Sequence, residues 1–266
     1  MAIFKGQDGQ PIPLNGIYKG ASCFLIVSGP SLLNYDLRKL KRPGVLTFGV
    51  NNSPKVFRPN MWTSVDSPEK FMLSIWRDPT IMKFVPDGKP EKHLFDNWTW
   101  KASEVKVKEC PNVIYYPRND TFHADTFLTE PNVNWGDRKE NGGKRSVMLA
   151  ALRLIYELGC RRIFLLGCDF HMELGKQNYA WKQDRHRGSV NGNNKTYARN
   201  MERFAILRPI FEKAGLFVYN CNKDSALKVF PYVSYESAIA MTAGIFYNTK
   251  LERAEGLYDR KLNQPE

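Results

Sequence analysis

The chain has 266 residues, 42% hydrophobic and 13% aromatic, which is enough apolar side chain to bury a core and too much for a disordered polypeptide. Its 39 Lys and Arg outnumber 27 Asp and Glu, and the formal charge of +12 has no use to an enzyme of small neutral substrates, so it points to polyanions. No apolar run approaches the roughly 18 residues of a membrane span, and Met1 to Gly6 turns polar at once, so neither export nor membrane spanning is expected; Tyr258-Asp259-Arg260-Lys261 shows no amphipathic anchor, so membrane attachment is not expected and a cytoplasmic setting is. Cys23, Cys110, Cys160, Cys168 and Cys221 show no Cys-x-x-Cys spacing, which favours buried reduced thiols over disulfides or zinc.

The first element is the run Phe24-Leu25-Ile26-Val27, which breaks into Ser28-Gly29-Pro30-Ser31-Leu32. A short, partly β-branched run stopped by Gly-Pro reads as a central strand of a parallel sheet. Ser28 and Gly29 carry almost no side chain and Ser31 can cap the next turn, so a phosphate or ribose could approach the main chain there. Next come a predicted helix over Tyr35 to Leu40, a strand over Val45 to Val50 ending at Asn51-Asn52, and a strand from Met61 to Val65 ending at Asp66. Residues 78–110 read as a long irregular insertion on the acceptor side, holding Trp98 and Trp100, before a strand over Asn112 to Tyr116.

Ser146 to Phe170 is the clearest strand and helix pair. Gly142-Gly143-Lys144-Arg145 leads to the candidate N-cap Ser146, and Val147, Met148, Ala151, Leu154, Ile155 and Leu158 then recur at helical spacing until Gly159. Ile163 to Gly167 is a buried strand closing on Cys168-Asp169-Phe170-His171. Lys176 to Arg203 holds seven Lys or Arg against two acids with Tyr179, Trp181 and Tyr197 interleaved, the composition of a mobile basic loop that holds phosphates and stacks on rings. Residues 171–195 are expected to form a lid loop. A helix over Thr196 to Ala214, a strand over Leu216 to Asn220 and the polar end Cys221 to Leu227 complete the series. Repeated βα units place strand ends at one sheet edge, where Ser28, Asn51, Asp66, Asp169 and Asn222 should converge.

The ordered set of motifs resembles the bacterial family 42 sialyltransferases and the related MptE-like superfamily. The matching features are Ser28-Gly29-Pro30-Ser31-Leu32, Asn51 at the end of the second strand, Ser146 opening the helix to Leu158-Gly159, Ile163 to Phe170 with its Gly-x-Asp-Phe ending, and Cys221 to Leu227. With gaps, the likeness runs from about Ser22 to Ala238. It implies an α/β, Rossmann-like fold, a mostly parallel sheet flanked by helices, over 1–266. It also implies transfer of a sugar from a CMP- or UDP-type nucleotide-sugar to an acceptor hydroxyl in one displacement, with no metal and no resident cofactor.

By that likeness Ser28, Gly29, Pro30, Ser31 and Asn51 would hold ribose and phosphate. Ser146 would approach the phosphate from a helix N-terminus, Asp169 and Phe170 would shape the base or sugar pocket, and Asn222 with Ser225 would complete the cradle. The family's general-base histidine falls at Asn193 here, which leaves Asp66, His186 and His171 as candidates for the base. The charge and the aromatic residues make a hydroxylated DNA base one expected acceptor, with Trp98, Trp100 or Trp181 as the wedge. The alternatives are diphosphate transfer from ATP to a pterin-like substrate, as in the wider superfamily, and a nucleic-acid-binding module without catalysis.

Overall fold

The computed structural model describes residues 3–141, 143–242 and 255–256 of the chain. The readings made on Met1, Ala2, Gly142 and the stretch Tyr258 to Lys261 lie outside them. Seven strands form one sheet: β1 (Ser22–Ile26), β2 (Leu46–Val50), β3 (Met61–Thr63), β4 (Met82–Pro86), β7 (Val113–Tyr116), β10 (Arg162–Leu166) and β11 (Phe217–Asn220). Two small ladders stand apart from it, the antiparallel hairpin β5 (His93–Asp96) with β6 (Lys101–Lys106), and β8 (Arg118–Asn119) with β9 (Val133–Asn134). The order across the large sheet is β11-β10-β1-β2-β3-β4-β7, and every neighbouring pair is parallel. With helices packed against it, the first of them the short α1 (Leu73–Trp76), this is the α/β Rossmann-like fold expected.

Side chains alternate across a strand, so a strand buried on both faces must be apolar at every position. β1 obeys this: Cys23, Phe24, Leu25 and Ile26 are all fully buried. Cys23 and Leu25 join the cluster under helix α2 (Val147–Glu157), with Leu149, Leu152 and Ile155. Phe24 and Ile26 join the opposite cluster with Tyr235, Ala238 and Ile239 of α4 (Tyr235–Thr242). The chain leaves β1 toward β2, β3, β4 and β7 on one side, then returns to place β10 and β11 on the other. The strand order therefore reverses between β1 and β10, and a crevice opens beyond their carboxyl ends. All five cysteines are buried free thiols. No helix among the described residues is long and apolar enough to cross a membrane.

Three local expectations are corrected. Tyr35 to Leu40 is not an α-helix; two 3-10 turns, Pro30–Asn34 and Leu37–Lys41, flank an extended Tyr35, the second capped by Asp36 accepting from the Arg38 N–H. Residues 78–110 are not irregular, since they supply β4 to the central sheet and the β5–β6 hairpin. The basic stretch 176–203 is half helix: α3 begins at Arg187 and runs to Lys213, so only 171–186 of the expected lid is loop.

β4 hides in the sequence because Lys83 and Pro86 interrupt its apolar run. The Lys83 side chain is fully buried, and its Nζ donates to the carbonyls of Asp78, Ile81 and Pro111 at 2.6, 3.0 and 2.8 Å. Lys83→Met would remove all three bonds from around a buried position, so it should cost about 3 kcal/mol of unfolding free energy. Urea denaturation checks this, and an unchanged midpoint would refute the bracing role.

Candidate functional site

The loop after β10 and the turn after β1 are built around one carboxylate. Asp169 Oδ2 accepts from the Ser31 N–H at 3.2 Å and from Ser31 Oγ at 2.9 Å, while Oδ1 accepts from Asn222 Nδ2 at 3.0 Å. Burial raises the Asp169 carboxyl above the ordinary carboxylate range, and the two Ser31 bonds oppose that rise. Ser225 Oγ donates to the Cys168 carbonyl at 2.6 Å and the Ala226 N–H to that of Asp169 at 2.9 Å. Ser31, Asn222 and Ser225 thus brace the Asp169 loop, and none of them lines the cleft. Pro30 starts the 3-10 turn and is also outside the lining. Gly29 is small for a related reason: a Cβ there would stand 1.9 Å from Asp169 Oδ2 and 2.5 Å from the Gly167 carbonyl.

Beyond these strand ends lies a cleft of about 470 Å³. Of the expected residues, Ser28, Gly29, Asn51, Asp66, Ser146, Asp169, Phe170 and His171 line it. His186 does not; it is exposed at the N-cap of α3, its Nδ1 accepting from the Ser189 N–H at 3.2 Å. Asn193, where the family's histidine would fall, does line the cleft.

Asn51, directly after β2, and Phe170, in the loop beyond β10, hold the left-handed conformation that costs a side chain about 1 kcal/mol or more, at φ 52° and φ 59°. Asn51 is fixed by its main chain: its N–H donates to the Thr63 carbonyl at 3.2 Å and its carbonyl accepts from Trp62 Nε1 at 2.7 Å. Its side-chain Oδ1 is buried without a partner. Such an acceptor in a cleft is ready for a ligand donor. The Phe170 ring stacks on Tyr197, centroids 4.7 Å apart.

The opposite wall is cationic. Lys144, Arg145 and Ser146 lead into α2, Ser146 Oγ accepts from the Met148 N–H at 3.2 Å, and no acidic residue lies in the first turn. A helix start of this kind directs free N–H groups and the positive end of the peptide dipole at the cleft. Its position is set from far away in the chain. Arg203 on α3 pairs with Asp137 at 2.5 Å and donates to the carbonyls of Gly143 and Lys144, so the loop is clamped from beneath. Gly136, at φ 121°, passes so close that a Cβ would meet the Lys144 carbonyl at 2.7 Å.

The sequence signal for Lys144 and Arg145 is Gly-Gly-Lys-Arg before an N-cap serine, which by itself assigns them no role. Tyr179 and Tyr197, flagged there only as aromatic residues of a loop, also line the cleft. The loop itself is tied down: the Ala180 N–H donates to the Ser28 carbonyl at 2.9 Å, the Asn194 amide bonds both polar groups of the Met172 main chain, and Arg185 donates to the Tyr179 hydroxyl at 2.6 Å. Asp66 is half exposed and 3.5 Å from Lys70, and His171 Nε2 lies 3.7 Å from Glu173. No group of three or more His, Cys, Asp or Glu able to hold a metal occurs among the described residues.

No family model and no curated protein matches the chain. A search of solved structures finds similarity to the sialyltransferase CstII from Campylobacter jejuni in complex with a substrate analogue, cytidine-5'-monophosphate. That chain is 10% identical, the match covers 81% of this chain and 86% of that one, and the TM-score is 0.42. So distant a likeness assigns no residue a role.

Proposed function

We propose that the cleft binds a nucleotide-sugar and that the protein transfers the sugar to an acceptor hydroxyl. One observation carries the reading: at the switch point between β1 and β10, a cationic helix start lines the same cleft as Asn51, whose side-chain oxygen has no partner, and a solvent-reachable carboxylate, Asp66. Anion recognition, a polar contact for ribose or base, and a proton acceptor are the three functions that such a transfer needs.

In the reaction the acceptor oxygen attacks the anomeric carbon and the bond from that carbon to the phosphate oxygen breaks. The departing phosphate takes the electron pair, and Lys144, Arg145 and the α2 N-terminus neutralise the charge it gains. These protein cations do the work that a metal ion does in other transferases, which is why the reading is metal-independent. The acceptor proton passes to Asp66, with His171, which also lines the cleft, as the second candidate.

Thermal-shift titration with CMP, UMP, UDP, GDP and ATP tests the first half. A nucleotide at a hundred times its Kd stabilises the folded chain by about 2.7 kcal/mol, which is a rise of about 5 °C or more for a protein of this size. Lys144→Ala should abolish most of that rise. Sugar donors built on the nucleotide that binds should then turn over equally with and without magnesium. A flat response to all five nucleotides, or a shift untouched by Lys144→Ala, overturns the nucleotide site. Turnover that requires magnesium overturns the metal-independent step.

A further inference from the structure

Trp135 is 6% exposed and forms part of the cleft wall. Two guanidinium groups sit over its ring, those of Arg118 and Arg145, each 4.5 Å from the centroid. Stacking on an indole is favourable for either, but two like charges held on one ring repel. Arg118 is shifted below the usual arginine range, first by burial and in part by Arg145. Lys89 is depressed as well, by burial and then by Arg118.

The nearby carboxylates leave this charge unbalanced. Asp120 is 2.7 Å from Arg138 and 3.9 Å from Arg145, and Asp66 is engaged with Lys70. Among the described residues neither Arg118 nor Lys89 forms an ion pair. Arg118 Nη1 instead donates to the Val65 carbonyl at 2.9 Å, which ties the guanidinium to the residue preceding Asp66. The indole N–H of Trp135 is a further buried donor without a partner. Two guanidinium groups held on one cleft-wall ring, with a single carboxylate 3.9 Å from one of them, make a positively charged surface suited to an anion.

We infer that Arg118, stacked with Arg145 on the ring of Trp135 beside Asp66, is the anchor of an acceptor subsite that takes a phosphate or carboxylate carried by the sugar or alcohol to be modified. This rests on the transferase reading. A guanidinium fork matches two oxygens of either anion, and stacking on the ring fixes the fork before the ligand arrives, so little side-chain freedom is lost on binding. The anchor on Val65 sets the anion next to the carboxylate that receives the acceptor proton. An acceptor held by its charged group then presents its hydroxyl to Asp66.

The test uses the full chain saturated with the nucleotide that binds, titrated with glucose 6-phosphate, methyl glucuronide and methyl glucoside. At least one charged sugar should raise the melting temperature beyond the nucleotide alone, and the neutral glucoside should not. Arg118→Gln should weaken the charged sugar about tenfold and keep the nucleotide shift, while Arg118→Lys, which restores charge without the fork, should recover part of the loss. Equal binding of the glucoside, or an unchanged Kd in Arg118→Gln, overturns the subsite. So does a short DNA duplex that displaces the charged sugar at lower concentration, since that would make the site one for nucleic acid. Binding of the charged sugar through Arg118 in a protein that binds no nucleotide would leave the subsite standing and remove the transferase reading.

Discussion

Asp66→Asn is expected to lower turnover of the nucleotide-sugar donor by at least a hundredfold while leaving the nucleotide-dependent rise in melting temperature unchanged. Asparagine keeps the shape of the side chain and removes its ability to take a proton. Asp66 is half exposed and its salt link with Lys70, at 3.5 Å, is of a kind that contributes little to stability, so the variant should fold normally. His171→Gln is the paired control. His171 follows Phe170 on the loop beyond β10, and in the same assay its loss should cost less than about tenfold if Asp66 is the base. Single-turnover rates across pH separate the two: the ionisation seen in the native profile should disappear in Asp66→Asn and persist in His171→Gln. The reverse pattern would make His171 the base, and no effect from either would overturn the assignment of the base to these two residues.

Gly29→Ala should be strongly destabilising. The backbone of Gly29 is ordinary, φ −70° and ψ 157°, so the effect is steric and not conformational. The new methyl group would meet Asp169 Oδ2 at 1.9 Å, Asp169 Cγ at 2.9 Å and the Gly167 carbonyl at 2.5 Å. That carbonyl accepts the Gly29 N–H at 2.8 Å, so it cannot retreat without breaking the link between the β1 and β10 ends. The carboxylate can move only by leaving Ser31 and Asn222. Overpacking of this severity costs about 3 kcal/mol, a fall of roughly 6–12 °C in melting temperature. A double-mutant cycle with Asp169→Ala should show the two losses to be less than additive by about 1 kcal/mol or more, because the cycle removes the main clash. If Gly29 instead served a ligand phosphate, Gly29→Ala would weaken nucleotide binding at unchanged stability, and the bracing account would fall.

Much of the architecture was legible because its signals are local. β1, β2, β3, β7, β10 and β11 are short apolar runs ending in polar residues, and α2 shows its helical spacing between a serine cap and a glycine stop. β4 escaped because Lys83 looks like a surface residue until the three carbonyls that receive its ammonium are assembled around it. The first turns of α3 escaped because Arg187 to Lys195 is polar and contains Gly188 and Gly192. They are helical through tertiary contacts, with Val190 buried and Asn194 bonded to Met172, and through the His186 cap.

The strand ends separate the two levels. That Ser28, Asn51, Asp66 and Asp169 would gather at one sheet edge followed from the sequence alone, because alternating strands and helices leave parallel strands pointing the same way. Which of the expected residues would face the cleft and which would brace it did not follow. Ser31, Asn222 and Ser225 turn inward to hold the Asp169 loop, His186 is used as a cap, and Lys144 and Arg145 enter the wall because Arg203 fixes their loop from 59 positions away. Such roles depend on partners that meet only after the chain has folded, whereas periodicity and turn residues act over a few neighbours, so the first had to come from the tertiary structure and the second did not.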